Sequence, residues 1–320
     1  MELNEYQKSA LKTRQPQRKE GDSLIVSLLG LACEAAGPLA EFKKHIRDGD
    51  AHRLYKDRMR EELGDVLWYL ASAANEFDLT LEDIAIANIN KTRNRWDIGD
   101  QKAAGVYFDE SFPVKEQLPR HFVIRFLSFT NGTQKQVQTY WGSQQMGQAL
   151  TDNAHHNDGY RYHDIFHLAC AAVLGWSPVV RRNLDLKRRS DLKIDEVEDG
   201  GRAIVIEEAI SALVFDYAQS HAMLDNVTAI DYELLRTIKT LAEHFEVRTK
   251  TPADWENTIL QGYSAWRSLA SSGEGFAVCD MTTRRISFTT DPSCVQSDPD
   301  THVLTDISGL SNVSDAPVEV

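Results

Sequence analysis

The segment EELGDVLWYL, residues 61–70, places three acids directly before an apolar helical run. Glu62 and Asp65 are three residues apart, so on a helix their carboxylates lie on one face. The helix dipole explains one acid near a helix N-terminus, with a stabilisation of about 0.3–1 kcal/mol. It does not explain the pair of Glu62 and Asp65, because we expect their face of the helix to turn towards the core. Glu61 adds a third acid next to this pair. Such a pair needs a compensating charge, which a metal cation supplies. The spacing therefore predicts a metal site on Glu62 and Asp65.

A second set of chemistry-bearing residues lies in RYHDIFHLA, where His163 and His167 are four residues apart and Asp164 stands beside them. Two histidines at this spacing on one helix face are a common metal-ligand arrangement. Glu207 and Glu208 interrupt a later apolar helical run. We expect these five residues to form a second candidate site, for metal binding or acid–base chemistry. Imidazole ligands favour a transition metal such as Zn²⁺, Mn²⁺ or Fe²⁺ over Mg²⁺.

Length and composition are those of a soluble globular protein: 320 residues are enough for about two domains, with 42% hydrophobic and 26% charged residues. The net charge of -13 argues against binding to duplex nucleic acid. No apolar run approaches the roughly 20 residues of a membrane span, and the N-terminal segment has no apolar signal-peptide core, so we expect no membrane partner. Four scattered cysteines without a CxxC pair indicate a reducing, cytoplasmic location.

Apolar periodicity predicts three helices before residue 100: residues 22–47, interrupted by Pro38, residues 57–77, and a third that begins after Thr80. Residues 1–21 form an expected N-terminal arm, and GDQKAAG an expected linker. We therefore predict an all-α helical domain over residues 22–100.

The chain changes character after this linker. Asn131-Gly132 predicts a β-hairpin, and GFAVCDMTTRRISFT predicts a second hairpin that pairs with the first. The fold class is thus mainly α, with a mostly helical α+β second domain over residues 106–288 and an acidic flexible tail over 289–320. Further helices are expected at 160–175, 202–224, 231–246 and 253–270. Between them, we interpret the basic cluster as a solvated loop in preference to a phosphate-binding segment: Arg181, Arg182, Lys187, Arg188 and Arg189.

Residues 22–97 resemble the MazG-like all-α nucleotide pyrophosphohydrolases. EELGDVLWYLA fits the ExxD element of that family with Glu62 and Asp65, and ANINKTRNRW places Asn88, Lys91 and Arg95 where the family has polar and basic residues. The resemblance implies cleavage of an NTP or dNTP to the monophosphate and pyrophosphate, with Mg²⁺ or Mn²⁺, in a homo-oligomer. Asn88, Lys91 and Arg95 are then expected to bind the substrate phosphates.

The first acidic element of the family, ExxE within GEAGELAE, is altered here to CEAAGPLAEF. Ala35 and Pro38 stand where the two acids belong. Glu34 comes one residue early and Glu41 three residues late, about 10 Å apart along a continuous helix. Either Glu34 or Glu41 completes a catalytic metal site with Glu62 and Asp65, or the site is half-dismantled and the domain has a structural or regulatory role.

Two alternative functions therefore remain beside the pyrophosphohydrolase. In one, His163, Asp164, His167 and Glu208 form the active site of a metal-dependent phosphohydrolase, and the first domain serves mainly for oligomerisation. In the other, the protein is a non-catalytic nucleotide-binding regulator.

Overall fold

The chain divides into two compact units, Met1–Arg93 and Asn94–Val320. The computed structural model describes residues 1–14, 22–96 and 107–295. The predicted linker GDQKAAG lies outside the described residues, as do positions 15–21 of the expected arm and the acidic tail from residue 296 onwards.

The first unit is all-α, as predicted. Its second helix ends at Glu34, and the next begins at Gly37 with Pro38 in its first turn. Proline lacks the N–H that a helix interior requires, but it fits a first turn, so Pro38 splits the expected helix in two. The described helices of this unit are α1 Leu3–Leu11, α2 Asp22–Glu34, α3 Gly37–Asp48, α4 Tyr55–Glu76 and α5 Leu81–Trp96.

Helix α1 lies in the segment that we expected to be an arm, and it covers part of α4. Trp68 is half-buried on α4, and its Nε1 donates a hydrogen bond to Thr13 Oγ1 at 2.8 Å. Gln7 is buried, and its side chain bonds the Leu79 carbonyl and the Leu81 N–H at the start of α5. The N-terminal segment is therefore part of this unit's packing.

The core of the first unit is small, and two of its helices expose large apolar side chains. Most of the buried apolar residues described in this unit are alanines, at positions 10, 71, 73 and 74. By length and composition, Ser23–Ala51 is apolar enough to cross a membrane, contrary to our expectation, although the helix breaks after Glu34 and little of the stretch is buried. We call its exposed side chains the apolar α2–α3 surface: Ile25, Val26, Leu28, Leu29, Leu39, Phe42 and Ile46.

The second unit contains one antiparallel five-stranded sheet in the order β3-β2-β1-β4-β5. The first hairpin turns after Asn131, with Gly132 at φ +62°, a conformation that glycine adopts without strain. Strand β1 also pairs with β4, which confirms that the two predicted hairpins join in one sheet. Strand β3 was not predicted. The strands are β1 His121–Asn131, β2 Gln134–Trp141, β3 Gln144–Leu150, β4 Gly275–Asp280 and β5 Arg285–Thr289.

Helices of the second unit pack on this sheet around a large apolar core. The predicted helix at 160–175 is a 3₁₀ turn, the short helix α6 and a π-helical turn, Cys170–Leu174. Helix α9 faces α6 and carries the predicted acids. Helices α7 and α8 were not predicted, because each has only six residues. The described helices are α6 Asp164–Ala169, α7 Pro178–Asn183, α8 Leu192–Val197, α9 Gly201–Ser220, α10 Tyr232–Leu241 and α11 Pro252–Ser272.

The interpretation of the basic cluster as a solvated loop is wrong for two of its members. Arg181 and Arg188 are fully buried. Arg181 pairs with Asp109 at 2.6 Å, and Arg188 is held by Asp199 and Glu246, each at 2.7 Å. Guanidinium groups with several donors suit such buried networks, so these arginines stabilise the second unit.

Candidate functional site

Three carboxylates of the first unit meet in the structure. Glu34 is the last residue of α2, and Glu62 and Asp65 lie one turn apart on α4. Each offers an oxygen within 4.8 Å of an oxygen of the others. Glu34 and Glu62 are half-buried, whereas Asp65 is exposed. We call these three residues the acidic cluster.

Gly37 makes room for this cluster. It is the first residue of α3, and a Cβ atom built on it would lie 1.9 Å from Glu62 Oε2. No side chain larger than hydrogen fits there while Glu62 keeps its position. The sequence signal for this space is a glycine directly before the proline that starts a helix.

Glu41 is not part of the acidic cluster, contrary to one of the two options considered for it. Its carboxylate is buried and accepts a hydrogen bond from Lys44 Nζ, and its second oxygen lies 3.0 Å from His52 Nε2. The Lys44 hydrogen bond lowers the pKa of Glu41, against the effect of burial and with help from His52. Glu41 is thus compensated by Lys44 and bonded to His52, and Glu34 takes the place beside Glu62 and Asp65.

The predicted phosphate-binding residues all lie on α5. Asn88 is exposed, and its backbone carbonyl accepts a hydrogen bond from Thr92 Oγ1. The side chains of Lys91 and Arg95 lie outside the described residues. Their role in binding phosphate stays a prediction.

The second unit brings the other predicted residues together. Around a common centre lie His163, Asp164 and His167, whose ligand atoms are within 4.8 Å of one another. Glu208 Oε2 reaches them from α9, 3.3 Å from His167 Nε2 and 3.8 Å from His163 Nε2. We call these four residues the histidine cluster. Both histidines are buried, while Glu208 remains partly exposed.

Glu207 lies behind this cluster and is fully buried. Its Oε1 accepts hydrogen bonds from His167 Nδ1 at 2.9 Å and from Ser177 Oγ at 2.6 Å, and its Oε2 accepts the Val179 N–H at 2.9 Å. Ser177 and the N-terminus of α7 were missed from the sequence, although Ser-Pro before an apolar run is a helix-start signal. They fix the carboxylate that orients His167.

Burial and neighbouring charges shift the pKa values of both His167 and Glu208. Burial by itself would lower the pKa of His167, but Glu207 and Glu208 outweigh it and raise the pKa to about 10. Burial would raise the pKa of Glu208, but His167 and His163 lower it below its usual range. Without another cation, His167 therefore holds a proton between the two carboxylates.

Comparison with known proteins assigns both units. Residues 35–97 match the model of the MazG nucleotide pyrophosphohydrolase domain, and residues 103–292, more than half of the chain, match that of the MazG C-terminal domain. The chain belongs to the MazG family. The first match covers Glu62, Asp65 and α5, and it begins one residue after Glu34. The second covers the whole histidine cluster.

Membership of the MazG family confirms the predicted resemblance and supports nucleotide pyrophosphohydrolase activity in general. The family is typically dependent on a divalent metal, and the acidic cluster offers groups that could hold one. The chain is also similar to the Gene 37 protein of Mycobacterium phage L5, with 36% identity over 88 residues, which is 27% of this chain and 75% of the phage protein. No solved structure matches the chain significantly.

Proposed function

We propose that this protein is a nucleoside triphosphate pyrophosphohydrolase with its active site on the acidic cluster. Water forms a bond to the α-phosphorus of an NTP or dNTP and releases a proton to solvent, while the bond from that phosphorus to the oxygen that bridges to the β-phosphate breaks, so that the monophosphate and pyrophosphate are released. The observation that carries this proposal is the meeting of Glu34, Glu62 and Asp65, which come from two helices and face one another. Carboxylates brought this close repel one another unless a cation lies between them.

The residues fit the expected metal. Mg²⁺ prefers oxygen ligands and shares its coordination with water and substrate phosphates. Glu34, Glu62 and Asp65 offer only oxygens, and Gly37 leaves space at Glu62. Bound there, Mg²⁺ or Mn²⁺ would neutralise triphosphate charge and polarise the scissile phosphate.

The remaining groups of the chain position the substrate. Asp65 is the exposed member of the cluster, so a nucleotide reaches the site from its side. Asn88, Lys91 and Arg95 follow one another along α5 at intervals of three and four residues, which on a helix places them on one face. In this proposal they bind the triphosphate.

The proposed assembly is a cytoplasmic homo-oligomer. A helical unit of this size buries little surface, and the apolar α2–α3 surface would be costly to leave in water. We infer that a second copy covers this surface, and that the net charge of -13 keeps duplex nucleic acid away.

The deciding experiment is pyrophosphate release from a panel of NTPs and dNTPs with Mg²⁺ or Mn²⁺. Asp65→Asn should abolish release. Asp57→Asn is the matched control, because it removes the same charge from an exposed position of α4, where Asp57 pairs with Arg60 at 2.9 Å; it should retain activity. No pyrophosphate from any nucleotide would refute the proposal.

The same panel separates the alternatives. Activity that survives Asp65→Asn but is lost with Glu208→Gln would place phosphohydrolase chemistry at the histidine cluster. Nucleotide binding without turnover in the wild-type protein would instead identify a regulator.

A further inference from the structure

The histidine cluster lies in the second unit, to which the family match assigns no activity. It does not depend on the function proposed for the acidic cluster. In this cluster, both imidazoles direct their Nε2 atoms towards the carboxylate of Glu208.

Both imidazoles make a hydrogen bond through Nδ1. His167 Nδ1 bonds the buried Glu207 carboxylate at 2.9 Å, and His163 Nδ1 bonds the Tyr160 carbonyl at 2.8 Å. A carbonyl oxygen only accepts, so His163 carries its proton on Nδ1 and leaves the Nε2 lone pair for a ligand. A carboxylate or carbonyl behind Nδ1 is the usual partner of a metal-ligating histidine.

Both Nε2 atoms point to the same place. His167 Nε2 is buried, and its partner among the described residues is Glu208 Oε2 at 3.3 Å, in an orientation that falls short of a well-aligned hydrogen bond. His163 Nε2 faces Asp164 Oδ1 and Glu208 Oε2, each at 3.8 Å, which is beyond hydrogen-bond distance. A buried nitrogen whose hydrogen bond is poorly aligned costs free energy, and a cation between Glu208 Oε2 and the two Nε2 atoms would satisfy all three groups.

The spacing suits a metal ion. Two ligand atoms about 2.1 Å from a tetrahedral ion are separated by about 3.4 Å. The distances from Glu208 Oε2 to the two Nε2 atoms, 3.3 and 3.8 Å, bracket this value. A small cavity of about 10 Å³ beside Asp164 and His167, lined also by Thr139, leaves room for one more small ligand such as water.

Hydrogen bonds hold the carboxylate that orients His167, and the cluster is open to solvent on one side. Glu207 is fixed by Ser177 and the start of α7, and α6 continues into the π-helical turn Cys170–Leu174, a distortion that is frequent next to functional sites. Glu208, with 43% of its side chain exposed, gives access from solution.

We propose that His163, Asp164, His167 and Glu208 bind one first-row transition-metal dication, with Glu207 as the positioning residue that orients His167. Two nitrogen and two oxygen ligands favour Zn²⁺, Mn²⁺, Fe²⁺ or Co²⁺ over Mg²⁺. The site is therefore chemically distinct from the all-carboxylate cluster of the first unit.

The test is metal binding by the full chain with Glu62→Gln and Asp65→Asn, which removes two ligands of the acidic cluster. Zn²⁺ and Co²⁺ are added separately after chelator treatment, with elemental analysis for stoichiometry and Co²⁺ absorption for the ligand field. We expect one ion per chain and a rise in unfolding temperature with Zn²⁺. Adding Glu208→Gln, which removes a ligand, should weaken binding by more than the roughly 10- to 100-fold that the loss of an outer-shell partner costs, and adding His163→Ala should abolish it.

His155→Ala is the matched control, because His155 is an exposed histidine of the same unit outside the cluster. It should bind metal like its parent. Circular dichroism shows whether each variant folds; should His163→Ala fail to fold, Glu208→Gln, whose side chain is partly exposed, carries the decision. Equal uptake by parent, Glu208→Gln and folded His163→Ala would overturn the proposal. So would the absence of both uptake and a Zn²⁺ effect on unfolding temperature, which would leave His167 as an imidazolium held by two carboxylates.

Discussion

Gly37→Ala tests whether the position of one carboxylate controls activity. The added Cβ would lie 1.9 Å from Glu62 Oε2, whereas ordinary contact begins at 3.4 Å, so the carboxylate must move by about 1.5 Å. Displacements of about 1 Å in an active site can cost about 100-fold in rate. We expect kcat for pyrophosphate release to fall by about that factor, with a higher Mg²⁺ concentration for half-maximal activity.

Stability should not fall with activity in this variant. The displaced atoms are the end of a flexible side chain, and alanine is favoured over glycine in helices by up to about 1 kcal/mol. The free energy of unfolding, from urea titration, should therefore stay within about 1 kcal/mol of the wild type.

Gly64→Ala provides the matched control, since Gly64 lies on α4 between Glu62 and Asp65 and an added Cβ there meets nothing within 4 Å. It should gain stability and keep activity. If Gly37→Ala has the kcat and Mg²⁺ dependence of the wild type, the argument is refuted. If Gly64→Ala also loses activity, the cause is helix rigidity and not the position of Glu62.

Three further predictions concern stability and assembly. Asp109→Asn removes the nearer of the two buried carboxylates that pair with Arg181, at 2.6 Å against 3.8 Å for Asp199, and should lower the free energy of unfolding by about 3–5 kcal/mol in urea titrations; an unchanged midpoint would contradict this. Burial would raise the pKa of Asp109, but Arg181 and Arg120 lower it below its usual value. The difference in free energy of unfolding between the wild type and Asp109→Asn should therefore be largest above the unfolded-state pKa near 4. It should disappear as the pH falls through the lower folded-state pKa. A pH-independent difference would count against this prediction. Leu29→Glu places a charge on the apolar α2–α3 surface and should dissociate the proposed oligomer, as measured by light scattering, while helicity persists. A monomeric wild-type protein would argue against a second copy as the cover of this surface. Binding of the wild-type protein to lipid vesicles would argue against it as well.

The sequence was informative where function depends on neighbours along one helix. Glu62 and Asp65, or His163 and His167, share a face simply because residues three or four apart do so on any helix. Pro38 likewise acts locally, and its missing N–H split the predicted helix at the expected place. The sequence alone therefore predicted part of each candidate site, namely Glu62 and Asp65 of the acidic cluster and His163 and His167 of the histidine cluster.

Tertiary structure decided which residues complete those halves. Glu34 and Glu41 looked equivalent in the sequence, yet the break before Gly37 turns Glu34 towards α4 and leaves Glu41 with Lys44 and His52. This choice depends on how closely the helices approach one another, which the missing Cβ of Gly37 permits at Glu62 and no periodicity encodes.

The same holds for the second unit. Adjacent acids on α9 serve opposite nitrogens of His167, Glu207 at Nδ1 and Glu208 at Nε2, because α9 packs directly against α6. Arg181 and Arg188 looked like solvated charges, since local sequence shows a charge but not the distant carboxylates that bury it. Burial of a charged group is a property of contacts between segments far apart in the chain, and only the folded structure supplies them.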